Sequence, residues 1–457
     1  MKRSASYNLQ TWLTRPERKP LIIRGARQVG KTWLVRDFAR QAGKNLVELN
    51  FERNPEFIRF FDASNPAKVL RGLEAYMGAK IDPEHALVFL DEIQAAPQVL
   101  ANLRWFAEEM PELPVVAAGS LLDFVLADHS FSMPVGRISY LHLEPMSFEE
   151  FLCAIGQEGL REFIGEFYPG GEIPELIHLR LMEFYRDYLV VGGMPAAVSS
   201  WQRENSPLTC AEIQQDLLTT LRDDFAKYSG RVPLQRLERV LDAVPRLLGR
   251  KFTYSQVDRE ERSAAIGQAL DLLCRARLCH KVRACDGAGI PLGAGVRERF
   301  FKVVFLDVGM ASALLGLALH ALPSLRDLAT VNEGALAEQA MGQLLRTAEP
   351  RFKEPALFYW ARERKGSTAE LDYLLQHGSV VVPVEVKAGT TGTLKSLHLF
   401  MALRRLPLAV RFNADLPSVT AVDVKTTTEA RAQYRLISLP FYLAGQIHQI
   451  LDLEGVA

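Results

Sequence analysis

The eight residues Gly25-Ala26-Arg27-Gln28-Val29-Gly30-Lys31-Thr32 constrain this chain more than any other stretch. They follow an apolar run, Leu21-Ile22-Ile23, that reads as a short buried strand, and precede Trp33, Leu34 and Phe38, spaced along a helix. Strand, glycine-bounded turn and helix in that order match the spacing G-x-x-x-x-G-K-[ST]. The glycines let the backbone turn its N–H groups inward, and a helix opening at Lys31 offers an N-terminus that favours anions. Such a loop cradles phosphate, with Lys31 reaching the β- and γ-phosphates and the Thr32 hydroxyl holding Mg²⁺.

A second motif extends this reading. Leu87-Val88-Phe89-Leu90-Asp91-Glu92 is an apolar strand ending in two acids, the form of a Walker B element. A buried parallel strand carries Asp91 to the sheet's C-terminal edge, where it would hold the hydration shell of Mg²⁺. Glu92 is then placed to polarise an attacking water, so the acid pair points to hydrolysis rather than binding alone. The competing reading is an edge strand with a solvated acid pair. A third strand, Pro114 to Ser120, ends in a small polar residue. Ser120 is the candidate γ-phosphate sensor, against a solvated strand-end serine. Arg137 is the candidate charge-stabilising arginine, in cis or across a subunit boundary, against an ordinary surface arginine.

Composition sets outer bounds. A chain of 457 residues is too long for one core, so two to four domains are expected. Lys+Arg and Asp+Glu balance at 54 each, so overall charge names no partner. Five cysteines include no C-x-x-C pair, which argues against a disulfide framework and against a zinc site at Cys274, Cys279, His280 and Cys285. Met1-Lys2-Arg3 precedes no apolar leader segment, and no run of eighteen apolar residues occurs. The expectation is a cytoplasmic protein with no membrane partner.

Residues 1–150 alternate apolar strands (21–23, 46–50, 87–91, 114–118 and 138–143) with helical stretches, the pattern of a parallel sheet covered on both faces. Residues 151–230 read as a helical lid region, broken at Tyr168-Pro169-Gly170-Gly171 and at Gly192-Gly193-Met194-Pro195. Residues 231–325 have the order of a winged helix: a helix from Leu234, a short segment at Thr253–Val257, a longer helix at Ala264–Ala276, a strand at Leu278–Ala284 and a glycine-rich turn at Asp286–Gly289. Between Arg231 and Arg283 twelve Lys/Arg face six Asp/Glu, a local excess in a neutral chain. This admits DNA as a partner, with Arg275 and Arg277 as contacts, or a protein packed on the same helices.

Residues 326–457 carry a second constellation. In Val382-Pro383-Val384-Glu385-Val386-Lys387 the valines share one strand face, and Glu385 and Lys387 the other. Asp372 sits in the preceding apolar segment Leu371–Leu375. An acid followed by E-x-K on the next strand is the core of the PD-(D/E)xK nuclease pattern, in which Asp372 and Glu385 would ligate Mg²⁺ and Lys387 would orient water or steady phosphate charge. On the preceding helix Glu338 lies on the apolar stripe with Gly334, Met341 and Leu345, and Glu333 on the opposite side. An acid on an apolar face needs a partner, so Glu338 is the third candidate ligand. Lys395 opens the following helix as a further basic contact.

Taken together, Gly25–Thr32, Phe89-Leu90-Asp91-Glu92-Ile93-Gln94, Ala118-Gly119-Ser120, Leu143–Phe151, Gly192-Gly193-Met194-Pro195 and Pro383–Gly389 resemble the bacterial and archaeal AAA-family ATP-binding proteins with a C-terminal domain of unknown function. The resemblance runs from end to end. It implies an α/β multidomain chain: an AAA-like P-loop ATPase, a helical lid, a winged helix and a restriction-endonuclease-like C-terminal domain. ATP and Mg²⁺ are the implied cofactors. DNA, a protein partner at the winged helix or C-terminal domain, and a second copy of the chain are the partners it admits. The leading expectation is an ATP hydrolase whose nucleotide state controls the C-terminal half on DNA. The alternative is a slow nucleotide-operated switch with an inert nuclease fold. Relatives commonly carry two serines where Ala118-Gly119-Ser120-Leu121 has one.

Overall fold

A computed structural model describes the chain apart from residues 63–64, 128–135, 231, 317–328, 365–366, 389–392, 427–428 and 457. The expected boundary at 325/326, Arg231, Gly389 and the side chain of Glu333 lie outside the described residues. The chain divides into two compact units. One comprises Met1–Glu144 with Arg275–Arg277 and Pro350–Pro355; the other comprises Pro145–Cys274, Leu278–Glu349 and Ala356–Ala457.

The first unit is built on five strands, β1 (Leu21–Arg24), β2 (Asn45–Asn50), β3 (Ala86–Asp91), β4 (Val115–Ala118) and β5 (Ser139–His142). They form a parallel sheet in the order β2-β3-β4-β1-β5. Every residue of β3 and β4 is buried, as a parallel sheet covered on both faces requires. One face (Ile22, Val88, Leu90, Ala117) packs against Val69 and Leu73 of the Pro66–Met77 helix and Leu100, Leu103 and Phe106 of the Pro97–Glu109 helix. The Lys31–Gln41 helix packs on the sheet through a buried stripe that includes Leu34, Val35 and Phe38. All strands run the same way, so the turns after β1, β3 and β4 open at one edge, where ligands bind in open α/β sheets.

The second unit joins a helical block to an eight-stranded sheet. Its strands are β6 (Cys279–Cys285), β7 (Val296–Phe305), β8 (Phe358–Arg364), β9 (Ser367–His377), β10 (Val380–Val386), β11 (Leu408–Asn413), β12 (Ser418–Lys425) and β13 (Arg431–Pro440). They lie in the order β12-β13-β11-β10-β9-β8-β6-β7. This changes the reading of the expected wing. β6 pairs antiparallel with β7 and also parallel with β8, through Arg283↔Phe358 and Ala284↔Tyr359. The hairpin is therefore the margin of the large sheet, not a projecting wing. Its turn is packed as well: a Cβ on Gly287 would lie 2.7 Å from Phe400 and 3.0 Å from Leu374, and Arg404 donates to the Asp286 carbonyl at 2.6 Å.

The Gly192-Gly193 pair has a structural explanation. Gly193 N–H donates to Asp307 Oδ2 at 2.6 Å, and the Gly193 carbonyl accepts from Met146 N–H at 2.7 Å. Tyr188 donates to the Met146 carbonyl, while Gln343 Nε2 donates to both the Tyr188 hydroxyl and Asp307 Oδ2. Both conspicuous sequence motifs, around Met146 and around Gly193, thus converge on one fully buried aspartate. No helix of the described residues is long and apolar enough to cross a membrane.

Candidate functional site

Gly25 follows β1 directly, and a Cβ there would lie 2.4 Å from the Leu143 carbonyl oxygen, so only glycine lets the two backbones approach. Gln28 (φ 63°) and Gly30 (φ 94°) are left-handed, which curls the loop in the manner of anion-binding backbone nests. Gly30 then caps the Lys31–Gln41 helix. Lys31 is buried, its Nζ donating to the carbonyls of Gly25 (3.0 Å) and Ala26 (2.8 Å) within its own loop. Burial pulls Lys31 down to about 8, against the opposing fields of Glu92 and Asp91.

The end of β3 meets this loop. Thr32 Oγ1 lies 3.2 Å from Asp91 Oδ1, and Asn50 Nδ2 donates to Asp91 Oδ2 at 3.1 Å. Burial, then the charge of Glu92, holds Asp91 above its usual range, while Asn50 and Thr32 work the other way. Glu92 adopts φ 50°, an uncommon left-handed conformation for a residue with a Cβ. Its carboxylate accepts from Gln94 Nε2 at 2.6 Å and lies 3.5 Å from Ser120 Oγ. Gly119 makes room for this arrangement, since a Cβ there would lie 2.1 Å from Gln94 Oε1. Lys31, Thr32, Asp91, Glu92 and Ser120 therefore gather at one sheet edge.

The C-terminal carboxylates come from three elements. Glu338 lies on the Ala329–Ala348 helix, Asp372 on β9 and Glu385 on β10. The antiparallel register, ending at Val384↔Tyr373, brings Asp372 beside Glu385. Asp372 Oδ2 accepts from Val386 N–H at 2.7 Å, and Lys387 Nζ lies 2.6 Å from Glu385 Oε1. Sequence reasoning missed Lys302 on β7. Its Nζ is buried, 2.8 Å from Glu338 Oε1, 2.5 Å from Glu370 Oε1 and 3.8 Å from Asp372 Oδ1. Burial disfavours its charge, but Glu338, Asp372 and Glu370 outweigh burial and raise its pKa. Burial pushes Glu338 up to about 7 and Glu385 up to about 8. Among the described residues no group of three or more His, Cys, Asp or Glu side chains converges in a way that would hold a metal ion. As it stands, the expected Glu338/Asp372/Glu385 set does not fit Mg²⁺.

Residues 17–152 match the family model of the AAA domain. The first unit carries an AAA-type P-loop ATPase domain. Residues 182–320 match a domain of unknown function, DUF8612, which covers part of the expected lid and most of the expected winged-helix segment, and residues 333–440 match another, DUF4143. No curated protein matches the chain. Among solved structures, the Walker-type ATPase of Pyrococcus abyssi is similar at 16% identity and a TM-score of 0.42, over 69% of this chain and 95% of that one. The ORC2 protein of Aeropyrum pernix, in ADPNP and ADP complexes, follows at 12% and 0.38, over 70% and 95%. The ORC1 protein of the same organism, in complex with DNA, is similar at 15% and 0.28, over 69% and 92%. The assignment of the ATPase domain rests on its strand order and the AAA match, not on these distant likenesses.

Within the ATPase domain, Arg137 is not where action in cis on its own P-loop would place it. It precedes β5, whose Ser139 pairs with Leu21 at the start of β1, and its Nε donates to Glu108 at 2.7 Å near the end of the Pro97–Glu109 helix. That is the sheet edge opposite the P-loop. Arg277, expected as a DNA contact, is only 4% exposed. It has φ 61° and donates to Asp123 Oδ2 at 2.5 Å and to Glu354 at 3.4 Å. Arg24 also pairs with Asp123. Burial foremost, then the charges of Arg277 and Arg24, pull His142 down to about 4. Arg3 is a further missed residue: it donates to the carbonyl of Val29 within the P-loop at 2.8 Å and to that of Glu144 at 2.7 Å. Nothing in the local pattern around Arg3 signals a partner 26 residues away. Lys395 is exposed at the start of the Lys395–Arg404 helix.

Proposed function

We propose that the first unit hydrolyses ATP with Mg²⁺. The observation that carries this reading is the meeting of Thr32, Asp91 and Glu92 beside the P-loop. Lys31 would exchange its two loop carbonyls for β- and γ-phosphate oxygens, a change that an ammonium held by its own backbone is poised to make. Thr32 and Asp91 are the residues that would hold Mg²⁺, directly and through its water shell; the ion, when bound, neutralises charge on the phosphates. Glu92 orients and deprotonates the attacking water, and Ser120, at the end of the strand between β3 and β1, reports the γ-phosphate through Glu92. The test is nucleotide binding by Lys31→Ala, which is expected to lose it. Wild-type affinity in that variant would overturn the assignment of the loop.

We propose further that nucleotide state governs the C-terminal half. Of the two readings of that half, action on DNA or an inert nuclease-like fold that serves as a docking surface, specific observations favour the second. Several groups behind the basic excess are already matched: Arg236 with Glu261, Arg239 with Asp258, Lys281 with Asp271 and Arg283 with Glu298. The turn expected to form the wing is packed against Phe400 and Leu374. Binding to duplex DNA that weakens steeply with salt would restore the first reading.

A further inference from the structure

The carboxylate cluster of the second unit holds a cation of its own. Lys302 points from β7 between Glu338 of the helix and Glu370 and Asp372 of β9, with Tyr359 behind it, the ammonium 5.2 Å from that ring's centre. The side chain is 2% exposed, so the charge is not a surface lysine folded inward by chance contact. Glu338 is closed from its other side: its Oε2 lies 3.0 Å from where a Cβ on Gly249 would stand. Asp372 has one oxygen committed to Val386 N–H, and Glu385 has one committed to Lys387. The second oxygen of Glu385 is buried without a hydrogen-bond partner among the described residues.

We infer that Lys302 stands in place of the divalent metal at this site, so that the cluster is held together by a resident ammonium and does not take up Mg²⁺ or Mn²⁺. A metal bound jointly by Glu338 and Asp372 needs their oxygens at about 2.0–2.6 Å from one point. The ammonium that already bridges toward both carboxylates fills that space and repels a second cation. Removing one partner of a buried ion pair leaves buried charge uncompensated, so loss of the lysine charge should create a demand for a cation that the native chain lacks. This deepens the inert-fold reading and rests on it for its meaning, but is tested separately.

The experiment measures Mn²⁺ bound to the full-length, nucleotide-free chain by equilibrium dialysis, comparing wild type, Asp372→Asn, Lys302→Met and Lys302→Met/Asp372→Asn. Wild type and Asp372→Asn are expected to bind equally little. Lys302→Met is expected to gain about one Mn²⁺ per chain and to recover thermal stability with it, and the double variant to lose both gains. Wild-type uptake that disappears in Asp372→Asn would overturn the inference, as would a folded Lys302→Met that gains no metal. If Lys302→Met does not fold, the comparison of wild type with Asp372→Asn still decides. Metal-dependent DNA cleavage by the wild type without Asp372-dependent uptake would overturn the inert-fold reading while leaving the assignment of Lys302 standing.

Discussion

Gly192→Ala should be among the costliest alanine substitutions in the chain, and its cost should depend on Asp307. Gly192 has φ 75° and ψ −168°, a region that costs a residue with a Cβ on the order of 1–3 kcal/mol. Its new Cβ would also lie 2.1 Å from Asp307 Oδ1 and 2.7 Å from Cγ. Asp307 has no cheap way to yield: Oδ1 accepts from Met310 N–H, and Oδ2 from Gly193 N–H and Gln343. Each buried donor left without a partner costs about 1–3 kcal/mol, so the substitution should cost about 3–5 kcal/mol in total. In an Asp307→Ala background the carboxylate is absent, and only the backbone strain of about 1–3 kcal/mol remains. A double-mutant cycle should therefore give a coupling of about 2 kcal/mol. Urea midpoints of the four proteins measure it, and hydrogen exchange over residues 188–196 assigns it to this segment. Additivity within about 0.5 kcal/mol would refute the close approach of Gly192 to Asp307.

Other outcomes follow from single sites. Arg277→Glu should destabilise the chain by about 3–5 kcal/mol, because it sets a carboxylate against Asp123 and Glu354 in a buried position; Arg275→Glu, on the exposed neighbour, should leave thermal stability within about 0.5 kcal/mol. A stable, fully active Arg277→Glu would contradict the buried pairing. Asp187 is pushed up to about 6, chiefly by burial and then by Glu183. Its folded form thus binds more protons than the unfolded chain between about pH 4 and 6, and stability falls as pH rises through that window. Asp187→Asn should recover about 2–3 kcal/mol at pH 7.5 and nothing at pH 3.5, by urea unfolding at both values; equal stability of variant and wild type at pH 7.5 would contradict it.

What the sequence discloses is what is local. Gly25–Thr32 and Leu87–Glu92 each contain their own strand, turn and chemistry within a few residues, and their meeting follows from the habit of parallel strands to open at one edge. Ser120 is legible for the same reason. The large sheet is not, because β6 finds β8 some seventy residues later, and a hairpin closed by a glycine-rich turn looks like a wing until that parallel neighbour is known. Lys302 shows the same limit. Between Phe301 and Val303 it reads as an alternating strand position, and only the fold brings Glu338, Glu370 and Asp372 to it. Gly192 and Gly193 are conspicuous as a motif, yet their reason, Asp307, lies 114 residues beyond Gly193. Glu338 was legible as an acid on an apolar stripe that needs a partner; that the partner is an ammonium was not.

The central claim is that Glu92, set beside Asp91 at the end of β3, activates the water that attacks ATP. Single-turnover hydrolysis by Glu92→Gln, measured beside equilibrium nucleotide binding on the same preparation, tests it most directly. The amide keeps the size of the side chain and leaves Asp91 and Thr32 in place, but it accepts a proton poorly. ATP should therefore bind with Mg²⁺ as in the wild type while hydrolysis slows by about a hundredfold or more. Hydrolysis at the wild-type rate by Glu92→Gln would remove Glu92 from the reaction and contradict the account of the site.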